Sequence, residues 1–231
     1  MTLTDTTICR ATGDDIVALA ELLADRLLAG PLGAWLVPDV AARRELLPSY
    51  AELVLAHAVE HGQADTTEDR AAVAVWYRRL EPGPPAAALL HDLGRLLGGH
   101  AARFAMFHAY VDVVRPHAPH HYLAHVAVAS EDHERAASAM LAGHHGVLDA
   151  EGLPSYAELV SDRPREGLLA RIGYEPRSPI LLEPGGPALW RMCRPPSGAQ
   201  RPGGLLRRMR MSRAVTPFRG RVIPAPTSRS S

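Results

Sequence analysis

Three consecutive segments in the second half of this sequence limit its fold most. Tyr122 to Val128 alternates and reads as a central strand. From Glu131 to about Ala150 the pattern turns helical, through Ala139, Met140, Val147 and Leu148. Ser155 to Leu159 then reads as another short strand. One strand–helix–strand unit of this kind commits the chain to a mixed α/β domain.

The flanking sequence extends that frame. Thr12 with Asp15 reads as an N-cap and capping box, ahead of Ile16, Leu19, Ala20, Leu23 and Leu27 at helical spacing. Gly30 and Pro31 end that helix. A second helix follows Pro38 and stops at Gly62. Gln63 to Thr67 and Ala71 to Trp76 read as a hairpin turning at Glu68 and Asp69. Glu81 to Pro85 is a loop, and Ala86 to about Val114 is helical with a break at Gly98 and Gly99. Arg165 to Ile172 is a short helix closed by Gly173. Ile180 to Leu182 and Ala188 to Cys193 are closing strands.

Composition sets the boundaries. With 231 residues, 47% hydrophobic and 22% charged, the chain suits one globular domain, with or without a tail. No apolar run reaches the roughly 18 to 20 residues that span a membrane, and the acidic N-terminus lacks a signal pattern. A cytoplasmic protein with no membrane partner is expected. Cys9 and Cys193 are distant and lack metal-ligand spacing, so two buried free thiols are expected. The formal charge is zero, yet Ser197 to Ser231 holds eight arginines and no acid, which leaves the remainder about eight charges negative. That stretch is rich in Pro, Gly, Ser and Arg without apolar periodicity, and reads as a disordered tail. It lacks a nucleic-acid-binding motif, so no nucleic-acid partner is expected. The domain therefore covers 1–196 and the tail 197–231.

Several stretches together resemble the GNAT acyltransferase superfamily, and within it the puromycin N-acetyltransferase-like branch of actinobacteria. They are GPLGAWLVPD (Gly30 to Asp39), AAVAVW (Ala71 to Trp76), HHYLAHVAVASEDHERAASAMLAGHHGVLDAEGLPSY (His120 to Tyr156), GLLARIGYEPR (Gly167 to Arg177) and GGPALWRM (Gly185 to Met192). The resemblance spans about Ile8 to Arg194. It implies the GNAT fold, a mixed central sheet flanked by helices, with acetyl-CoA as co-substrate and a small-molecule amine as acceptor. It also implies a β-bulge in the strand ending at Val128, which splays that strand from the one carrying Glu158. Val126, Ala127 and Val128 would line the pantetheine arm in the gap.

In the family the next turn reads Q/R-x-x-G-x-G/A and holds the pyrophosphate at a helix N-terminus. Here it reads His133, Glu134, Arg135, Ala136, Ala137 and Ser138, one residue short. Aligned from the strand, His133 takes the Gln/Arg position and Ala136 the first glycine. Aligned from the helix, Asp132 and Arg135 take them. Either way the first glycine is gone, Glu134 adds negative charge and Arg135 can offset it. Counting back from Gly173 and Tyr174, Leu169 stands where the family commonly has the tyrosine that protonates the leaving thiolate. Glu158 is the candidate base for the attacking amine, or alternatively an ordinary strand acid. His121 and His125, four apart on a strand, would share a face but lie too far apart to chelate a metal. His144 and His145 are expected at the surface, and Trp35, Trp76, Tyr122 and Trp190 in the core or cleft walls. An acetyltransferase is the leading reading, and a non-catalytic GNAT-fold ligand- or partner-binding protein the alternative.

Overall fold

The computed structural model describes residues 7–81, 87–184 and 186–198, all within one compact unit, Met1–Ala199. The expected tail lies outside the described residues from 199 onward. The strands are β1 (Ile8–Arg10), β2 (Gln63–Thr67), β3 (Ala72–Arg79), β4 (His120–Val128), β5 (Ser155–Val160), β6 (Glu175–Leu181) and β7 (Ala188–Arg194). The helices are α1 (Ile16–Ala29), α2 (Pro31–Leu36), α3 (Val40–His61), α4 (Ala87–Leu97), α5 (Ala101–Val114), α6 (Glu134–Glu151) and α7 (Gly167–Arg171). The strands form one sheet in the order β1-β2-β3-β4-β5-β7-β6. Among the described residues only β4 and β5, joined through α6, are parallel.

Local chemistry explains the boundaries. The Thr12 amide and hydroxyl both donate to Asp15 Oδ2, at 2.9 and 3.0 Å, which opens α1 through a 3-10 turn. Asp39 caps α3 by accepting from the Ala42 amide at 2.7 Å. Gly173, at φ 96°, follows α7 in the left-handed region. Two elements go beyond the sequence reading. Pro31 continues the chain as N1 of α2 instead of only ending α1. The three-residue β1 pairs at the sheet edge with Asp65 to Thr67.

The sheet separates two apolar layers. Val73, Val75, Tyr77, Tyr122 and Tyr156 face α1 to α5. Ala72, Ala74, Trp76, Leu123 and Ala157 face α6 and α7. Trp76 is buried and stacks on His144, with ring centroids 3.9 Å apart. His145 is 3% exposed and bonds the Tyr174 hydroxyl at 3.1 Å. Both histidines thus correct the surface expectation, because α6 turns this stripe onto the sheet. Cys9 is exposed and Cys193 half-buried, and both are free, so the buried-thiol expectation fails at Cys9, which lies on the edge strand. Among the described residues no helix is long and apolar enough to cross a membrane.

Candidate active site

The site starts from one extra residue. Val75 pairs with His125, but the next residue, Trp76, pairs with Leu123, so Ala124 is a bulge on β4. The insertion shifts the alternation of side chains. His121 pairs with Arg78 on the α6 side, while His125 pairs with Val75 on the opposite face. The expectation that His121 and His125 share a face is therefore wrong, and the bulge is the cause. His121 instead meets His144, with Nδ1 and Nε2 3.1 Å apart. Among the described residues no cluster of His, Cys, Asp or Glu could hold a metal ion.

The bulge also ends the parallel ladder. β4 and β5 pair only from His121↔Ser155 to Leu123↔Ala157. Beyond that point β4 stays paired with β3 as far as Val128, and β5 with β7 as far as Val160. Among the described residues the two edges turned toward each other carry no strand partner. They open into a cavity of about 620 Å³ that reaches Val126, Ala127, Val128, Ser130, Glu131 and Glu134. An extended amide-bearing chain such as pantetheine fits such edges, because unpaired backbone groups supply both donors and acceptors.

The cavity widens over the α1–α5 face of the sheet. Tyr77, Tyr122 and Tyr156 form a row there across β3, β4 and β5. Two positions beyond Tyr156, Glu158 lines the cavity from the same face. It is half-buried, and its Oε1 is closed to solvent without a hydrogen-bond partner. Burial pushes its carboxyl up to about 7, against the pull of the Tyr122 and Tyr156 hydroxyls and the Arg115 guanidinium. Three histidines line the same space. His108 and His125 are brought down to about 4 by burial, and His57 is lowered for the same reason. His57 Nδ1 lies 2.9 Å from the Tyr77 hydroxyl. All three are neutral near pH 7.

The remaining candidates divide around the turn. Glu134 lines the cavity, and its carboxylate pairs with Arg171. His133 Nδ1 is 2.9 Å from the Ser130 hydroxyl. Arg135 is exposed, Ala136 half-buried, and Ala137 fully buried in the α6 layer. Ser138 donates to the Glu134 carbonyl at 2.8 Å. The structure thus brings Val126, Ala127, Val128, Glu134 and Glu158 to one cavity and leaves His133, Arg135, Ala136, Ala137 and Ser138 out of its lining. Leu169 is buried in the second apolar layer and lines the cavity wall. The buried Tyr174 hydroxyl is engaged by Ser155 and His145.

Sequence reasoning missed Arg79, Asp112 and Arg115, which also line this space. A pair of arginines at the end of an apolar strand, and an acid and an arginine three apart near the end of a helix, were the visible signals.

Known structures share this architecture. An acetyltransferase from Corynebacterium glutamicum, described as a histone acetyltransferase and related acetyltransferase, superposes with a TM-score of 0.58 at 25% identity, over 83% of this chain and 97% of that one. The Drosophila melanogaster polyamine N-acetyltransferase gives 0.52 at 16% identity, over 83% and 100%. Arylalkylamine N-acetyltransferase 2 from Aedes aegypti gives 0.54 at 8%, over 83% and 99%. No family model and no curated protein matches the sequence. The fold is that of the GNAT acetyltransferases.

Proposed function

We propose that this chain, with its GNAT fold, is an acetyl-CoA-dependent N-acetyltransferase that acts on the amine of a small molecule. The carrying observation is the gap between β4 and β5, which opens directly onto the chamber that holds Glu158. Val126, Ala127 and Val128 would orient the thioester arm along the free edge of β4. The turn from His133 to Ser138 would take the pyrophosphate, with Arg171 balancing Glu134. A carboxyl held near 7 suits a base that removes a proton from the attacking amine, directly or through water. The amine nitrogen bonds to the carbonyl carbon as the carbon–sulfur bond breaks. Leu169 has no proton to give, so another donor, water included, protonates the thiolate. The neighbours that act on polyamines and arylalkylamines support an amine acceptor. Membership of the puromycin N-acetyltransferase-like branch and a cytoplasmic location belong to this proposal on the sequence resemblance.

Calorimetric titration of the full chain with acetyl-CoA tests the reading. Saturable binding is expected, followed by release of free thiol with a panel of amines. No binding at millimolar ligand would end it. The second reading, a GNAT-fold protein without turnover, is favoured by Leu169 in the cavity wall and Glu134 at the turn. Thiol release with any amine rules it out.

A further inference from the structure

Arg79 at the end of β3 and Arg115 just after α5 enter the same chamber as Glu158. Arg79 lies over the Tyr77 ring at 5.3 Å and Arg115 over the Tyr122 ring at 4.6 Å, so both rest on the tyrosine row. Each Nε is buried without a hydrogen-bond partner. Among the described residues Arg79 has no ion pair, while Arg115 meets Asp112 at 2.9 Å. Asp112 pairs with Arg115, Glu158 shares the field of Arg115, and the three histidines, lowered by burial, add no positive charge near pH 7. His120, opposite Arg79 on β4, lies within reach of the charge of both arginines.

Among the described residues Arg79 thus brings a guanidinium to the chamber without a carboxylate partner, and both arginines present a buried Nε donor there. A buried donor without an acceptor is costly, and an anion that accepts from these guanidinium groups satisfies it. A guanidinium presents a planar fork that matches a carboxylate. Part of the chamber wall is apolar, through Leu23, Leu27, Phe107 and Val111. We infer that the chamber takes a small molecule whose carboxylate lies between Arg79 and Arg115, with an apolar body against these walls. On the acetyltransferase reading, which this inference builds on, the acceptor is a carboxylated amine that directs its nitrogen toward Glu158.

The test uses the full chain and three probes in calorimetric titration: 3-phenylpropionate, 3-phenylpropan-1-ol and phenyl phosphate. The carboxylate is expected to bind saturably and the alcohol at least about tenfold more weakly. Arg79→Gln should weaken carboxylate binding by about 10- to 100-fold. Arg79→Lys, which keeps the charge but not the fork, should fall between. Both variants should keep the wild-type melting temperature within a few degrees, and acetyl-CoA binding should be unchanged because Arg79 lies outside the gap between β4 and β5. Equal binding of carboxylate and alcohol, tighter binding of the phosphate, undiminished binding by Arg79→Gln, or no carboxylate binding at millimolar concentration would each overturn the inference. If acetyl-CoA fails to bind while the carboxylate still does, the acetyltransferase reading falls and the anion site stands.

Discussion

Replacing Glu158 with glutamine should make the folded chain more stable at alkaline pH while removing its proposed base. Burial raises this carboxyl from an ordinary 4.5 to about 7. The folded chain therefore binds more protons than the unfolded chain between these values, and stability falls as pH rises through that window. The gap corresponds to about 3 kcal/mol at full ionisation, and residual solvent contact reduces it. Glu158→Gln cannot ionise, so it should gain about 1–3 kcal/mol over wild type at pH 8 and less than about 0.5 kcal/mol at pH 4.5. Urea denaturation of both proteins at the two pH values measures this difference. In the same variant, thiol release from acetyl-CoA should fall by about 10²- to 10⁴-fold. In wild type the acid limb of kcat/KM should turn near pH 7. An equal stability difference at both pH values would refute the argument, because it would show that Glu158 is not strained by its charge. Unchanged activity would refute its role as base.

Other parts of the structure give independent expectations. Asp149 accepts two hydrogen bonds from Arg194, at 2.8 and 2.9 Å, and one from the Ser197 amide at 2.8 Å. This holds its carboxyl well below the usual range, so the pair stabilises above the unfolded value and is lost as pH falls below about 4. Asp149→Asn should cost about 1–3 kcal/mol at pH 7 by denaturation and flatten that acid limb. Gly33→Ala would place its Cβ 2.1 Å from the Leu27 carbonyl oxygen, so α2 must move. It should cost at least about 1–3 kcal/mol by thermal unfolding. Glu134→Gln removes a negative charge at the turn and frees Arg171, and should tighten acetyl-CoA binding by about tenfold in calorimetry.

Much of the fold was written locally. The strand–helix–strand unit, the Thr12 and Asp15 cap, the hairpin ahead of Trp76 and the stop at Gly173 each rest on residues close in sequence. Their geometry depends on nearby backbone and solvent, so a one-dimensional pattern carries it. Val126 to Val128 and Glu158 were found through resemblance, and the structure brings them to one cavity.

Residues distant in sequence could not be placed this way. A bulge exists only relative to a partner strand, so the reversal of His125 against His121 depended on the pairing with Val75 and Trp76. His145 looked exposed because α6 is polar around it, and only docking on the sheet decided which stripe was buried. Arg79 and Arg115 come from separate elements, and each alone reads as an ordinary surface arginine. Their meeting over the tyrosine row, beside a carboxyl held near 7, is a property of the folded sheet. The sequence determined which elements form, because hydrogen bonding and apolar spacing act locally. Only the tertiary structure decided which charges share a buried space, because desolvation and pairing depend on neighbours from across the chain.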